Sequence, residues 1–234
     1  MRRAPIYLLI DTSGSMTGEP IIAVQNGIKL CIDALRTDAE SMEKAHICVI
    51  TFSDDASVAL PLTFVQEVSS VPELKAYGCT SYVAALNKLN EQLEKDIVPN
   101  KGEEKGDYKA FVMLLTDGYP TDKEEMLKAV ISKINRKKIS YFVAATTASD
   151  ERVLPTLREI TANDDYVFFL SSADTHTFQK FFQWVSQSAS AAIGSQGIDR
   201  GGDDSPKSNA GGDGTPMGEL PPLPNFNPDD ELFL

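Results

Sequence analysis

The sequence predicts an α/β fold: a doubly wound, mostly parallel six-stranded sheet with one antiparallel edge strand and helices on both faces. Three observations carry that expectation. Short, wholly apolar runs alternate with longer segments of helical spacing along residues 5–192, the pattern of strands buried on both faces and joined by crossover helices. One pair of β-rich runs is joined by a link of hairpin length, which makes that pair antiparallel. The alternation then stops, and a Gly/Pro/Asp-rich tail follows.

The elements follow in order. Pro5 to Ile10 is the first buried strand. Glu19 to Arg36 has helical spacing through Ile22, Val24, Ile28, Leu30, Cys31, Ile32 and Leu35, and Pro20 sits where a first turn tolerates a missing N–H. Ile47 to Phe52 and Ser57 to Leu62 are the hairpin pair, linked by Ser53-Asp54-Asp55, whose acids read as solvated turn residues. Ser81 to Ile97 is a second long helix, with Leu86, Leu89 and Leu93 near one face. Ala110 to Leu115 is a strand, and Asp122 is expected to cap a helix running to about Arg136. Ile139 to Ala145 is a strand, Glu151 to Thr161 a helix bent or delayed by Pro155, and Tyr166 to Leu170 a strand. Asp174 to about Ala192 is the last helix, with Phe178, Phe181, Phe182, Trp184 and Val185 as its core face.

This divides the chain into a domain over residues 1–193 and a tail over 194–234. The tail from residue 195 carries eight acids against Arg200 and Lys207, half of the chain's net charge of −12. It holds too little apolar surface to offset its ordering entropy and is expected to be disordered. Two islands interrupt it, Leu220-Pro221-Pro222-Leu223-Pro224 and Glu231-Leu232-Phe233-Leu234. They leave two readings open, a solubilising tail or a docking segment of polyproline or acidic-hydrophobic type.

Composition restricts function. A chain this acidic does not seek nucleic acid or anionic lipid by bulk electrostatics. Cys31, Cys48 and Cys79 are odd in number and widely spaced, which argues for free thiols in a reducing compartment over zinc or disulfides. The apolar run Ile6 to Ile10 is too short for a signal-peptide core, and no stretch is long enough to span a bilayer. A cytoplasmic location is the resulting expectation.

The chemistry concentrates at Asp11-Thr12-Ser13-Gly14-Ser15, directly after the first strand. Alternate residues of a turn can aim a carboxylate and two hydroxyls at one point, the oxygen environment a hard cation such as Mg²⁺ requires. Thr80, just before a helix, and Asp117, at the end of the second central strand, are the candidates from neighbouring loops. If the first and fourth strands adjoin, Asp11 and Asp117 lie side by side, and a metal relieves their repulsion. Enzymatic readings fit less well. An aspartyl-phosphate hydrolase needs a second acid at position 13, which is serine. A serine hydrolase needs a strained elbow and a histidine base; Ser13 and Ser15 lack that frame, His46, just before a strand, reads as packed or partly exposed, and His176, in the first turn of the last helix, reads as a surface residue. A P-loop needs a lysine that Gly14 to Gly18 lacks.

The D-x-S-x-S turn, the threonine before a later helix and the aspartate after the fourth strand resemble the metal-ion-dependent adhesion site of von Willebrand factor A domains, over roughly residues 4–190. The resemblance implies direct coordination by Ser13 and Ser15, exchange of Thr80 and Asp117 between direct and water-mediated coordination, and an Asp11 that holds water and the serine loop. It implies Mg²⁺, with Mn²⁺ or Ca²⁺ as alternatives, and no catalysis. A partner protein would complete the metal with an acidic residue, and Gly14, Met16, Gly118 and Tyr119 are the expected contacts around it. Pro5 to Ile21, Val49 to Phe52, Lys105 to Lys109 and Leu115 to Asp122 also resemble TerY-type proteins of bacterial tellurite-resistance and stress systems. That likeness implies work beside a protein kinase and a PP2C-like phosphatase.

Overall fold

The computed structural model describes residues 2–101, 104–148, 150, 152–197, 220–222 and 224. A six-stranded sheet runs through the domain in the order β3-β2-β1-β4-β5-β6. The strands are β1 (Ala4–Asp11), β2 (Ala45–Phe52), β3 (Ala56–Phe64), β4 (Ala110–Thr116), β5 (Ile139–Thr146) and β6 (Val167–Phe169). All pairings are parallel except β2 with β3. The helices are α1 (Glu19–Thr37), α2 (Tyr82–Asp96), α3 (Glu124–Ile131), α4 (Val153–Thr161) and α5 (Thr175–Gly197). The expected fold class, the antiparallel edge and the adjacency of the first and fourth strands are all present.

β1 shows why the order works. Its eight residues are all buried, so it must be central. Side chains alternate between faces. Ile6, Leu8 and Ile10 join the core under α1 and α5, while Tyr7 and Leu9 join the core under α2, α3 and α4. α1 and α5 cross closely at Gly27, where an added Cβ would meet Phe182 Cδ2 at 2.1 Å. The edges are guarded: β3 carries Pro61, which cannot donate to a ladder, and β6 is only three residues long.

Several boundaries differ from expectation for identifiable reasons. α3 stops at Ile131 rather than near Arg136, because the chain tightens into i→i+3 turns at Lys133 and Ile134. This releases Arg136 to donate to the carbonyls of Glu159, Ile160 and Thr161 at the end of α4. Tyr166 belongs to a 3-10 turn, which shortens β6. Pro155 sits in the first turn of α4, where its missing N–H costs nothing. α5 continues to Gly197, beyond the boundary expected at residue 193.

The tail also departs from simple disorder where it is described. Leu220 packs against the α1/α5 core, and the Trp184 indole donates to the Pro221 carbonyl at 3.0 Å. The expectation for 198–219, 223 and 225–234, including the island at Glu231, lies outside the described residues. Cys31, Cys48 and Cys79 are free thiols, the first two buried. Among the described residues, no helix is long and apolar enough to cross a membrane.

Candidate metal centre

Three loops meet at the C-terminal ends of β1 and β4, where sheets of this kind bind ligands. Their backbones are laced together. Gly14 N–H donates to Gly78 O at 2.9 Å, Tyr77 N–H to Thr12 O at 2.8 Å, Ser81 N–H to Ser53 O at 2.8 Å, and Thr121 N–H to Thr80 O at 2.8 Å. Gly78 takes φ +74, and an added Cβ would strike the Asp54 carboxylate at 2.3 Å, so glycine is required there. Asp54 also accepts from Cys79 N–H at 3.0 Å. It therefore braces the Thr80 loop and is no mere solvated turn residue.

The structure joins Asp11, Ser13, Ser15 and Asp117 through hydrogen bonds and places Thr80 beside Gly118, the neighbour of Asp117. Asp11 is fully buried, and both its carboxylate oxygens are engaged. Oδ1 accepts from Ser13 N–H at 2.8 Å, and Oδ2 from the Thr116 hydroxyl at 2.6 Å. The Ser13 and Ser15 hydroxyls lie 3.0 Å apart, and Ser15 donates to Asp117 Oδ1 at 2.7 Å. Thr80 is buried, and its hydroxyl lies 3.3 Å from where a Cβ on Gly118 would stand. Among the described residues, no hydrogen bond engages that hydroxyl.

The electrostatics of the cluster are unbalanced. Burial pushes the Asp11 carboxyl up to about 6, against the hydrogen bonds from Thr116 and Ser13, and the neighbouring Asp117 adds to the rise. Asp117 is raised as well, chiefly by desolvation and against the Ser15 hydroxyl. No lysine or arginine is among the groups acting on either carboxylate. Two carboxylates with the Ser13 and Ser15 hydroxyls, and the Thr80 hydroxyl beside Gly118, form an all-oxygen donor set suited to a hard divalent ion. Among the described residues, no group of three or more His, Cys, Asp and Glu is placed to hold a metal ion. His46 pairs with Pro5 across β1 and β2, at the opposite end of the sheet, and His176 lies in the first turn of α5.

The four expected contact positions divide. Gly14 and Tyr119 are exposed, and the Arg152 guanidinium lies over the Tyr119 ring at 4.4 Å. Gly118 is half-buried, and its carbonyl accepts from the Tyr82 hydroxyl at 2.7 Å. Met16 is a correction. It is fully buried in the α1/α5 core, because the 3-10 turn Gly14–Met16 folds back under the loop, so it anchors the turn and cannot meet a partner.

Sequence reasoning missed the supporting groups. Thr116 holds Asp11, and Tyr82 holds the Gly118 carbonyl and reaches Thr116 at 3.3 Å. A tyrosine on the apolar face of α2 was a usable signal, since a buried phenol needs a partner. One cap assignment also moves. Ser81 caps α2 by accepting from Ala84 N–H at 3.1 Å. Asp122 does not cap α3; it accepts from the Ser81 hydroxyl and Val83 N–H, and so secures α2.

A model of the von Willebrand factor type A domain matches residues 6–184. A search of curated proteins finds no match. Among solved structures, the chain is similar to proximal thread matrix protein 1 from the mussel byssus, with TM-score 0.60 and 18% identity over 80% of this chain and 48% of that one. It is similar to a von Willebrand factor type A protein from Catenulispora acidiphila, with TM-score 0.60 and 21% identity over 81% and 43%. It is also similar to the pilus adhesin SpaC from Lactobacillus rhamnosus GG, with TM-score 0.66 and 15% identity over 82% and 31%. Another structure of the mussel protein, at TM-score 0.54 and 21% identity over 79% and 46%, has a zinc-occupied MIDAS motif. The chain spans less than half the length of each of these, and at such identities the likeness is one of fold.

Proposed function

Because the chain belongs to the von Willebrand factor type A family, whose domains mediate protein–protein interaction and adhesion, we propose that it binds a partner protein through one divalent cation held by Asp11, Ser13, Ser15, Thr80 and Asp117. The observation that carries this reading is the hydrogen-bonded cluster of Asp11, Ser13, Ser15 and Asp117, with the Thr80 hydroxyl beside Gly118 and, among the described residues, no lysine or arginine among the groups that shift the two carboxylates. Ser13 and Ser15 offer hydroxyl oxygens. Thr80 has a hydroxyl that, among the described residues, no hydrogen bond engages. Asp11, with both oxygens already accepting hydrogen bonds, acts by fixing the serine loop and through water. The bound ion would be Mg²⁺, with Mn²⁺ or Ca²⁺ as alternatives, and would supply an open coordination position for a carboxylate of the partner. The exposed Gly14 and Tyr119, with Gly118 beside them, form the rim that partner would touch.

The same inventory supports binding over catalysis. Among the described residues, the groups in contact with the two carboxylates are hydroxyls and backbone N–H, and none is a histidine, a lysine or a further carboxylate that would serve as general base. The resemblance of Pro5 to Ile21 and Leu115 to Asp122 to TerY-type proteins supports a finer reading. On that reading the chain is a cytoplasmic protein of bacterial stress response and tellurite resistance, partnered by a protein kinase and a PP2C-like phosphatase.

The test is affinity capture with the full chain as bait, wild type against Asp117→Ala, each in Mg²⁺ and in EDTA, with retained proteins identified by mass spectrometry. A partner held only by wild type in Mg²⁺ supports the proposal. The same partner held equally by Asp117→Ala or in EDTA would falsify it.

A further inference from the structure

The chain has a single tryptophan, Trp184, on α5. It is only 2% exposed, with Phe168 edge-on at 4.9 Å and Phe181 stacked at 6.0 Å between ring centroids. An indole N–H can only donate, and when buried it needs an acceptor. Here the acceptor is not in the domain. It is the carbonyl of Pro221, 37 residues further on, at 3.0 Å. The preceding Leu220 packs against the same core, Pro221 and Pro224 are half-buried, and Pro222 faces solvent.

This is a recognition arrangement. Proline-rich segments dock on aromatic surfaces because their backbone is already extended and has little conformational entropy to lose. Proline also lacks an N–H, so its peptide carbonyls are unshared acceptors for a donor such as indole. The Leu220 side chain supplies the apolar anchor, and the Pro221 carbonyl supplies the polar one that sets register.

We propose that the face of α5 and β6 around Trp184 is a binding site for a proline-rich segment, and that its occupant is the chain's own Leu220-Pro221-Pro222, bound as an intramolecular ligand. The site lies on elements other than the three loops of the metal centre. Because ligand and site share one chain, occupancy does not depend on protein concentration.

Trp184 reports on its own site. In the full chain, Leu220→Asp is expected to raise acrylamide quenching of the tryptophan about threefold and to shift its emission to the red, because loss of the segment uncovers the ring. Far-UV circular dichroism of that variant should match wild type, and Leu220→Met, which keeps the apolar anchor, should keep the shielding. A peptide spanning residues 218–226 should restore shielding to the Leu220→Asp chain and leave wild type unchanged, whose site is filled. Equal quenching in wild type and Leu220→Asp overturns the proposal, as does a peptide that fails to protect. Shielding that grows with protein concentration overturns it too, by assigning the segment to a second copy.

Discussion

Replacing Asp11 by asparagine should stabilise the metal-free protein at neutral pH. The carboxyl is fully buried, and its folded value of about 6 lies above the ordinary 3.8. The folded chain therefore holds more protons than the unfolded chain between those values, and stability falls as pH rises through that window. Above it the full penalty is present, about 3 kcal/mol for a gap of this size. Asparagine keeps the Oδ1 acceptor for Ser13 N–H. Its amide would meet Thr116 Oγ1, whose proton can turn toward Gly118 O, 3.3 Å away. Allowing for imperfect geometry, the expected gain is about 1–3 kcal/mol at pH 7.5 in EDTA, shrinking to nothing near pH 4. Saturating Mg²⁺ should reverse the order, because an ion at 100 times its dissociation constant adds about 2.7 kcal/mol to the wild type and less to a weaker binder. Urea unfolding from pH 4 to 8, with EDTA or Mg²⁺, measures all of this. An Asp11→Asn protein that is less stable than wild type in EDTA at pH 7.5, or a difference that ignores pH, would refute the reasoning.

Two further substitutions probe what holds the site up. Gly27→Ala should gain about 1 kcal/mol of helix propensity and lose more to overpacking against the buried Phe182, for a net destabilisation of about 1–2 kcal/mol that Phe182→Leu partly relieves; thermal unfolding of the single and double variants checks the sign. Asp122→Ala should cost about 1–2 kcal/mol, because Ser81 and Val83 at the head of α2 both lose their acceptor; hydrogen exchange should then rise in the first turn of α2 and not in that of α3.

How much was legible depended on whether the signal was local. Asp11, Ser13 and Ser15 could be read because they are adjacent and follow an apolar strand, and Asp117 because it ends another. Strand order, inferred from the alternation, then brought the two carboxylates together. The misreadings are of residues whose partners are distant in sequence. Asp122 looked like a cap for the helix beside it, yet its partners are 39 and 41 residues away. Thr116 lies just past the apolar run that ends at Leu115 and becomes an Asp11 donor only once β1 and β4 pair. Met16 sits two residues past exposed Gly14, and nothing in the spacing tells which way a three-residue 3-10 turn points its last side chain. The tail was judged on average composition, which cannot register that one leucine and one carbonyl find Trp184.

Residues from three loops that hold one divalent cation should reveal it in isothermal titration of Mg²⁺ into the metal-free full chain, with Asp117→Ala alongside. Wild type should bind one ion per chain saturably, and Asp117→Ala should bind about tenfold or more weakly with its fold intact. No saturable binding in the folded wild type, or equal affinity in the two proteins, would mean that these residues form no metal site.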